Sequence, residues 1–78
     1  MADSRGRVAV SVDDTGSVQL EADAAGARRL AAALLELARA GGGDLHWLSP
    51  AWGGDELDAE VSVGAAVHHL KIVVGGAG

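Results

Sequence analysis

Val8-Ala9-Val10-Ser11-Val12, Asp13-Asp14-Thr15-Gly16, Ser17-Val18-Gln19-Leu20-Glu21-Ala22 and then Asp23 form the stretch that decides the fold. Val8, Val10 and Val12 alternate with Arg7, Ala9 and Ser11, the period of a strand with one buried face. Asp13 to Gly16 is turn chemistry: short acids that tolerate tight conformations, and a glycine for positive φ. Val18, Leu20 and Ala22 then resume the alternation, with Ser17, Gln19 and Glu21 outward. The two strands read as a hairpin. Parity limits its register, because the apolar residues of both strands are even-numbered. Val10 can face Val18 across a short loop or Leu20 across a longer one, so the loop is of odd length or carries a bulge at Gly16.

Asp23 is placed to cap a helix by accepting a first-turn N–H. Ala24 to Ala40 is rich in the best helix formers, with Ala27, Leu30, Ala31, Leu34, Leu37 and Ala38 as the apolar stripe. Arg28, Glu36 and Arg39 lie largely off that stripe, and Gly41-Gly42-Gly43 ends the helix in a left-handed cap. Leu45 to Leu48 reads as a third strand stopped by Ser49-Pro50, and Ala51 to Asp58 as a loop. Ala59 to Val63 and Val67 to Val74 read as two more strands, with Gly64-Ala65-Ala66 as a turn between them. On the last strand His68, Leu70, Ile72 and Val74 share one face, and His69, Lys71 and Val73 the other.

The expected fold is one α+β domain over residues 1–78, ordered over about 7–74 with loose termini. It is a mostly antiparallel sheet of four to five strands with one amphipathic helix on one face. The order is β-β-α-β-β-β, or β-β-α-β-β if Ala59 to Val74 is one bent strand. A single helix leaves one sheet face open, carrying Ala9, Ser11, Gln19, Ser62, His69 and Lys71. That face is read as solvated, though it is flat enough to meet another protein.

With 78 residues the chain has room for one core. A domain of this size buries only about 60% of its unfolded surface, and its core rarely supplies more than roughly 3–5 kcal/mol. There is no cysteine, hence neither a disulfide nor thiolate-bound zinc. The net charge of −5 opposes nucleic acid and anionic membrane and favours a basic partner. The longest strongly apolar stretch, Leu30 to Leu35, is far shorter than the roughly 20 residues of a membrane span. Met1 to Arg7 lacks the apolar segment of a signal peptide, so the cytoplasm is the expected address. The bias to Ala, Gly, Val and Arg suggests a GC-rich bacterial genome.

No catalytic motif is present. No serine sits in a Gly-x-Ser-x-Gly elbow, and Asp13-Asp14 and Asp55-Glu56 lie in glycine-containing loops that suit solvated turn residues. Neither glycine run has the Lys-Ser/Thr sequel of a phosphate loop. His68 and His69 point to opposite faces and do not readily chelate one ion; His46 approaches one of them only if its strand neighbours the last, with a carboxylate such as Asp44 needed beside it. No metal and no cofactor is expected, and the chain is read as a non-enzyme.

What remains is Leu45 to Asp58, which holds both tryptophans and the only proline in a chain without Phe or Tyr. Trp47 suits the core beneath the helix. Trp52, between Pro50 and Gly53-Gly54 with Asp55, Glu56 and Asp58 beyond, either packs back over the helix end or anchors an interface with an acidic rim. In the second reading the carboxylates steer a basic partner and Trp47 supports the anchor.

Val8 to Val12, the turn, Val18 to Ala22, Ala27-Arg28-Arg29-Leu30-Ala31-Ala32-Ala33-Leu34 and Leu45-His46-Trp47-Leu48-Ser49-Pro50 together resemble the small immunity proteins of bacterial polymorphic toxin systems, in particular the immunity protein 32 family. The resemblance spans about residues 8–74 and rests on a generic pattern. It implies a non-enzymatic protein that binds and neutralises a cognate toxin domain, and it carries no residue-level inhibitory motif. A self-associating, homodimeric structural or regulatory module is the alternative.

Overall fold

The computed structural model describes residues 6–75. Of the segments expected to be loose, residues 1–6 and 75–78, all but Gly6 and Gly75 lie outside them, and Gly6 packs so closely on the start of the helix that a Cβ there would lie 2.1 Å from the Gly26 nitrogen. Strand β1 (Val8–Val12) pairs antiparallel with β2 (Val18–Ala22) in the register Val10↔Leu20. The loop between them, residues 13–17, has the odd length that parity required. Asp13 organises it: one carboxylate oxygen accepts from the Thr15 hydroxyl at 2.6 Å, the Thr15 N–H at 2.9 Å and the Ser17 N–H at 3.0 Å. Those bonds hold the Asp13 carboxyl below its ordinary range, the Thr15 hydroxyl first among them.

Helix α1 (Ala24–Arg39) begins at the expected cap. Asp23 Oδ1 accepts from the Gly26 N–H at 2.7 Å and also from the Arg7 N–H at 2.9 Å, so one carboxylate ties the helix start to the entry of β1. The Arg7 N–H and then the Gly26 N–H lower the Asp23 pKa. The approach is so close that a Cβ on Gly26 would lie 2.0 Å from the Arg7 carbonyl oxygen. At the other end the Gly42 N–H donates to the Leu37 carbonyl at 2.8 Å and the Gly41 N–H to the Ala38 carbonyl at 3.2 Å, with Gly41 at φ +89°.

The inward line of α1 differs from the expected stripe. Gly26 is buried, and Ala25, Arg29, Leu30, Ala33, Leu34 and Leu37 are half-buried, while Ala27, Ala31 and Ala38 are exposed. The Asp23–Gly26–Arg7 junction fixes the helix rotation, so the line runs through Gly26 rather than Ala27.

Strand β3 (Gly43–Leu48) pairs antiparallel with β5 (His69–Val74), and β4 (Ala65–Ala66) pairs antiparallel with β1. The class is α+β and the order β-β-α-β-β-β, with the five strands shared between a β2-β1-β4 sheet and a β3-β5 sheet. Between β4 and β5 the chain bends and changes partner: the Val67 N–H donates to the Val10 carbonyl, and the His68 carbonyl accepts from the Ser49 N–H. This bend joins the two sheets. Val8, Val10, Trp47 and Leu57 form the core beneath α1, packed by Leu30, Ala33, Leu45, Val67 and Leu70.

Two expectations about the sheet are corrected. Residues 59–63 are not a strand, and Ala65–Ala66, expected as a turn, is one. Asp58 makes a parallel bridge to Ala9, after which Arg7 draws the chain out of line: its Nε lies 3.7 Å from Asp58 Oδ2 and its Nη2 donates to the Glu60 carbonyl. The Ser62 N–H then donates to Glu21 at 2.9 Å, pulling the Glu21 carboxyl below its ordinary range. This excursion crosses the face expected to be open, so Ala9 and Ser11 are buried there, and the Ser11 hydroxyl has no partner. Conversely, Val18 and Leu20 on the outer strand, expected inward, are 66% and 51% exposed. The helix packs against both strands of the hairpin and against β3 and β5, yet leaves Val18 and Leu20 bare.

Candidate functional site

Ser49 is the hub of the segment that carries the tryptophans. It is fully buried; its carbonyl accepts from the Trp52 N–H at 2.9 Å and the Gly54 N–H at 3.0 Å, and its hydroxyl meets His68 Nδ1 at 2.7 Å. Pro50–Trp52 form a 3-10 turn, started by the fixed φ of Pro50 and closed by Gly53 at φ +87°. Gly54 presses against Leu48: a Cβ there would lie 2.5 Å from the Leu48 Cβ. Glu56 folds back, its Oε1 accepting from the Leu48 N–H at 3.0 Å and its own N–H donating to the Leu48 carbonyl at 3.2 Å. Leu57, read as part of a loop, is 1% exposed and completes the core.

The segment therefore presents its two indoles differently. Trp47 points inward from β3, 8% exposed, with the Arg29 guanidinium 4.7 Å from its ring centroid. Arg29 also donates to the Glu56 carbonyl at 2.9 Å, so the helix, Trp47 and the returning loop share one cation. Trp52 is 60% exposed. It does not pack over the helix end; its ring lies nearly parallel to His68, with centroids 6.5 Å apart, and tilted to His69 at 6.2 Å.

Of the expected acidic rim, Glu56 is half-buried and engaged with Leu48, Asp58 is paired with Arg7, and Asp55 is exposed. The rings beside Trp52 are those of His68 and His69. The register sets His46 opposite Lys71 and Leu48 opposite His69, so His46 and His69 are diagonal neighbours on the outer face of β3–β5. His46 Nδ1 lies 2.8 Å from His69 Nε2, and His46 Nε2 lies 3.2 Å from Asp44 Oδ2. Lys71 Nζ approaches the same Asp44 oxygen at 3.9 Å. With 2.8 Å between nitrogens and 5.1 Å between centroids, the two imidazoles meet edge to edge, not face to face. The carboxylate can only accept, so in the neutral pair Nε2 of His46 carries the hydrogen and Nδ1 accepts from His69.

Trp52 thus stands at one end of a row running through His69, His46, Asp44 and Lys71, with His68 and Ser49 behind it. The histidine row was visible in the sequence only as a condition, that β3 neighbour β5. Ser49 and Arg29 carried no sequence signal beyond their neighbours. Among the described residues no helix is long and apolar enough to cross a membrane. No family model, curated protein or solved structure matches the chain.

Proposed function

We propose that this chain is a non-enzymatic, cytoplasmic binding protein whose Trp52 face docks a protein partner, the cognate toxin domain implied by the immunity-protein resemblance. One observation carries the reading: a tryptophan 60% exposed on a turn braced by Ser49, Gly53 and Gly54. An exposed indole on rigid backbone loses little entropy on binding and is a common hot-spot anchor. The net charge of −5 favours a basic partner and speeds its approach.

The test is growth protection by co-expression with toxin domains encoded beside the chain, together with direct titration of the purified pair. Trp52→Ala should abolish protection and weaken binding at least tenfold without shifting the melting temperature. Undiminished protection by that variant would remove Trp52 from the interface.

Self-association is the second reading, favoured by Val18 and Leu20, which lie exposed on β2, the outer strand of its sheet among the described residues. It predicts a melting temperature that rises with protein concentration and loses that dependence in Leu20→Lys.

A further inference from the structure

The histidine row carries an inference that stands independently of toxin binding. We infer that His46 and His69 form a two-histidine site for a divalent late transition metal (Cu2+, Ni2+ or Zn2+), with Asp44 as the orienting carboxylate and the outer coordination positions left to water or an incoming ligand.

The backbone places the pair. The β3–β5 ladder runs unbroken from Gly43↔Val74 to Leu48↔His69, so both imidazoles project from hydrogen-bonded strand positions rather than from a loop. Their facing nitrogens are 2.8 Å apart. At metal–nitrogen distances of about 2.0–2.1 Å, two adjacent ligands of a tetrahedral ion lie roughly 3.3 Å apart, so the gap has to open by only about half an ångström.

The rings meet end to end across one hydrogen, and the metal takes that hydrogen's place. His69 then carries its hydrogen on Nδ1, and both rings turn so that their lone pairs converge. His46 is 48% exposed in its side chain and His69 is an exposed residue, so that rotation is open and the ion has direct access. No net proton leaves a neutral pair, whereas protonated rings cannot bind.

Asp44 supplies the second element. A metal-bound histidine characteristically donates its other N–H to a carboxylate, which fixes the tautomer and raises ligand basicity. Here Asp44 Oδ2 sits 3.2 Å from His46 Nε2, leaving Nδ1 as the lone pair aimed at His69. Lys71 opposes binding by its charge, but its side chain is 53% exposed and swings away readily. Among the described residues no group of three His, Cys, Asp or Glu converges on one point. The site is therefore open and exchangeable, unlike a closed structural zinc site, and Cu2+ should bind most tightly.

Trp52 reports on occupancy, since its ring lies 6.2 Å from that of His69 and bound Cu2+ quenches a nearby indole. The experiment is calorimetric and fluorescence titration of the tag-free protein with Cu2+ and with Zn2+ at neutral pH. One equivalent per chain is expected, with Trp52 quenched by Cu2+. His46→Gln and His69→Gln should each weaken binding by more than about tenfold, and Asp44→Asn by about tenfold. His68→Gln, whose ring is engaged with Ser49, should bind as the parent does. Circular dichroism of each variant confirms that the fold is intact. Absence of a one-equivalent site for either ion, or equal affinity in parent and in folded His69→Gln, overturns the inference.

Discussion

Trp47 and Trp52 are close neighbours in sequence and opposite in circumstance. Trp47 sits on a strand whose parity drives it inward, beneath the helix, where its ring meets Arg29 and is 8% exposed. Trp52 sits just past Pro50, on a turn that has left the strand, and is 60% exposed beside two histidines. The residue type is the same; Ser49-Pro50 between them changes the backbone and thereby the environment. Burial of one indole holds the fold together, and exposure of the other leaves apolar area available to a partner.

The contrast breaks most visibly at Trp47. Trp47→Ala should cost about 3–5 kcal/mol, a margin that the core of so small a domain rarely exceeds, so thermal melts should show a largely unfolded variant. A cooperative melt near the parent's would show that Trp47 is not the keystone assigned here.

Acid should loosen the frame that buries Trp47 through three of its carboxylates. Asp13, Glu21 and Asp23 all have folded pKa values lowered by hydrogen bonds from Thr15, Ser62 and Arg7 respectively. A lowered folded pKa means the unfolded chain takes up protons first. The stability these groups contribute is complete above the ordinary carboxylate range and is lost as pH falls through and below it. Melting temperature should therefore fall with acidification, and Asp23→Asn should flatten that slope.

Glu56→Ala tests the brace between the two indoles. It removes the acceptor of the Leu48 N–H and should cost about 1 kcal/mol, with faster depolarisation of Trp52 emission in a Trp47→Phe background. Unchanged depolarisation would mean that Ser49 alone holds the turn. Trp52→Ala should have the smallest effect on stability, within about 0.5 kcal/mol. A loss comparable with that of Trp47→Ala would place Trp52 in the core and remove the contrast.

Local patterns made much of this legible. The hairpin followed from alternation and its odd loop from parity; the helix start followed from Asp23 and its end from Gly41 and Gly42. The alternation of Leu70, Ile72 and Val74 against His69, Lys71 and Val73 holds in β5, although the strand begins at His69 and leaves Val67 and His68 in the bend before it. Ala59 to Val63 was not, because an apolar alternation there is outweighed by Arg7, which holds Asp58 and the Glu60 carbonyl from far away in sequence. The same long-range contact buries Ala9 and Ser11 on a face expected to be open. Two of the three carboxylates expected to ring Trp52 are engaged elsewhere for a similar reason: Glu56 accepts from the Leu48 N–H and Asp58 pairs with Arg7.

The sequence by itself determined the α+β class, the hairpin and the parity of its register, the caps of the helix and the difference between a strand tryptophan and a turn tryptophan. Each depends on residues near one another along the chain, where periodicity and backbone preference act. Tertiary structure alone decided the division into two sheets, the rotation of the helix about Gly26, the covering of β1 by the 59–63 excursion, and the meeting of His46 with His69 beside Trp52. Those depend on which distant groups satisfy each other's hydrogen bonds and charges, and local pattern does not specify that choice.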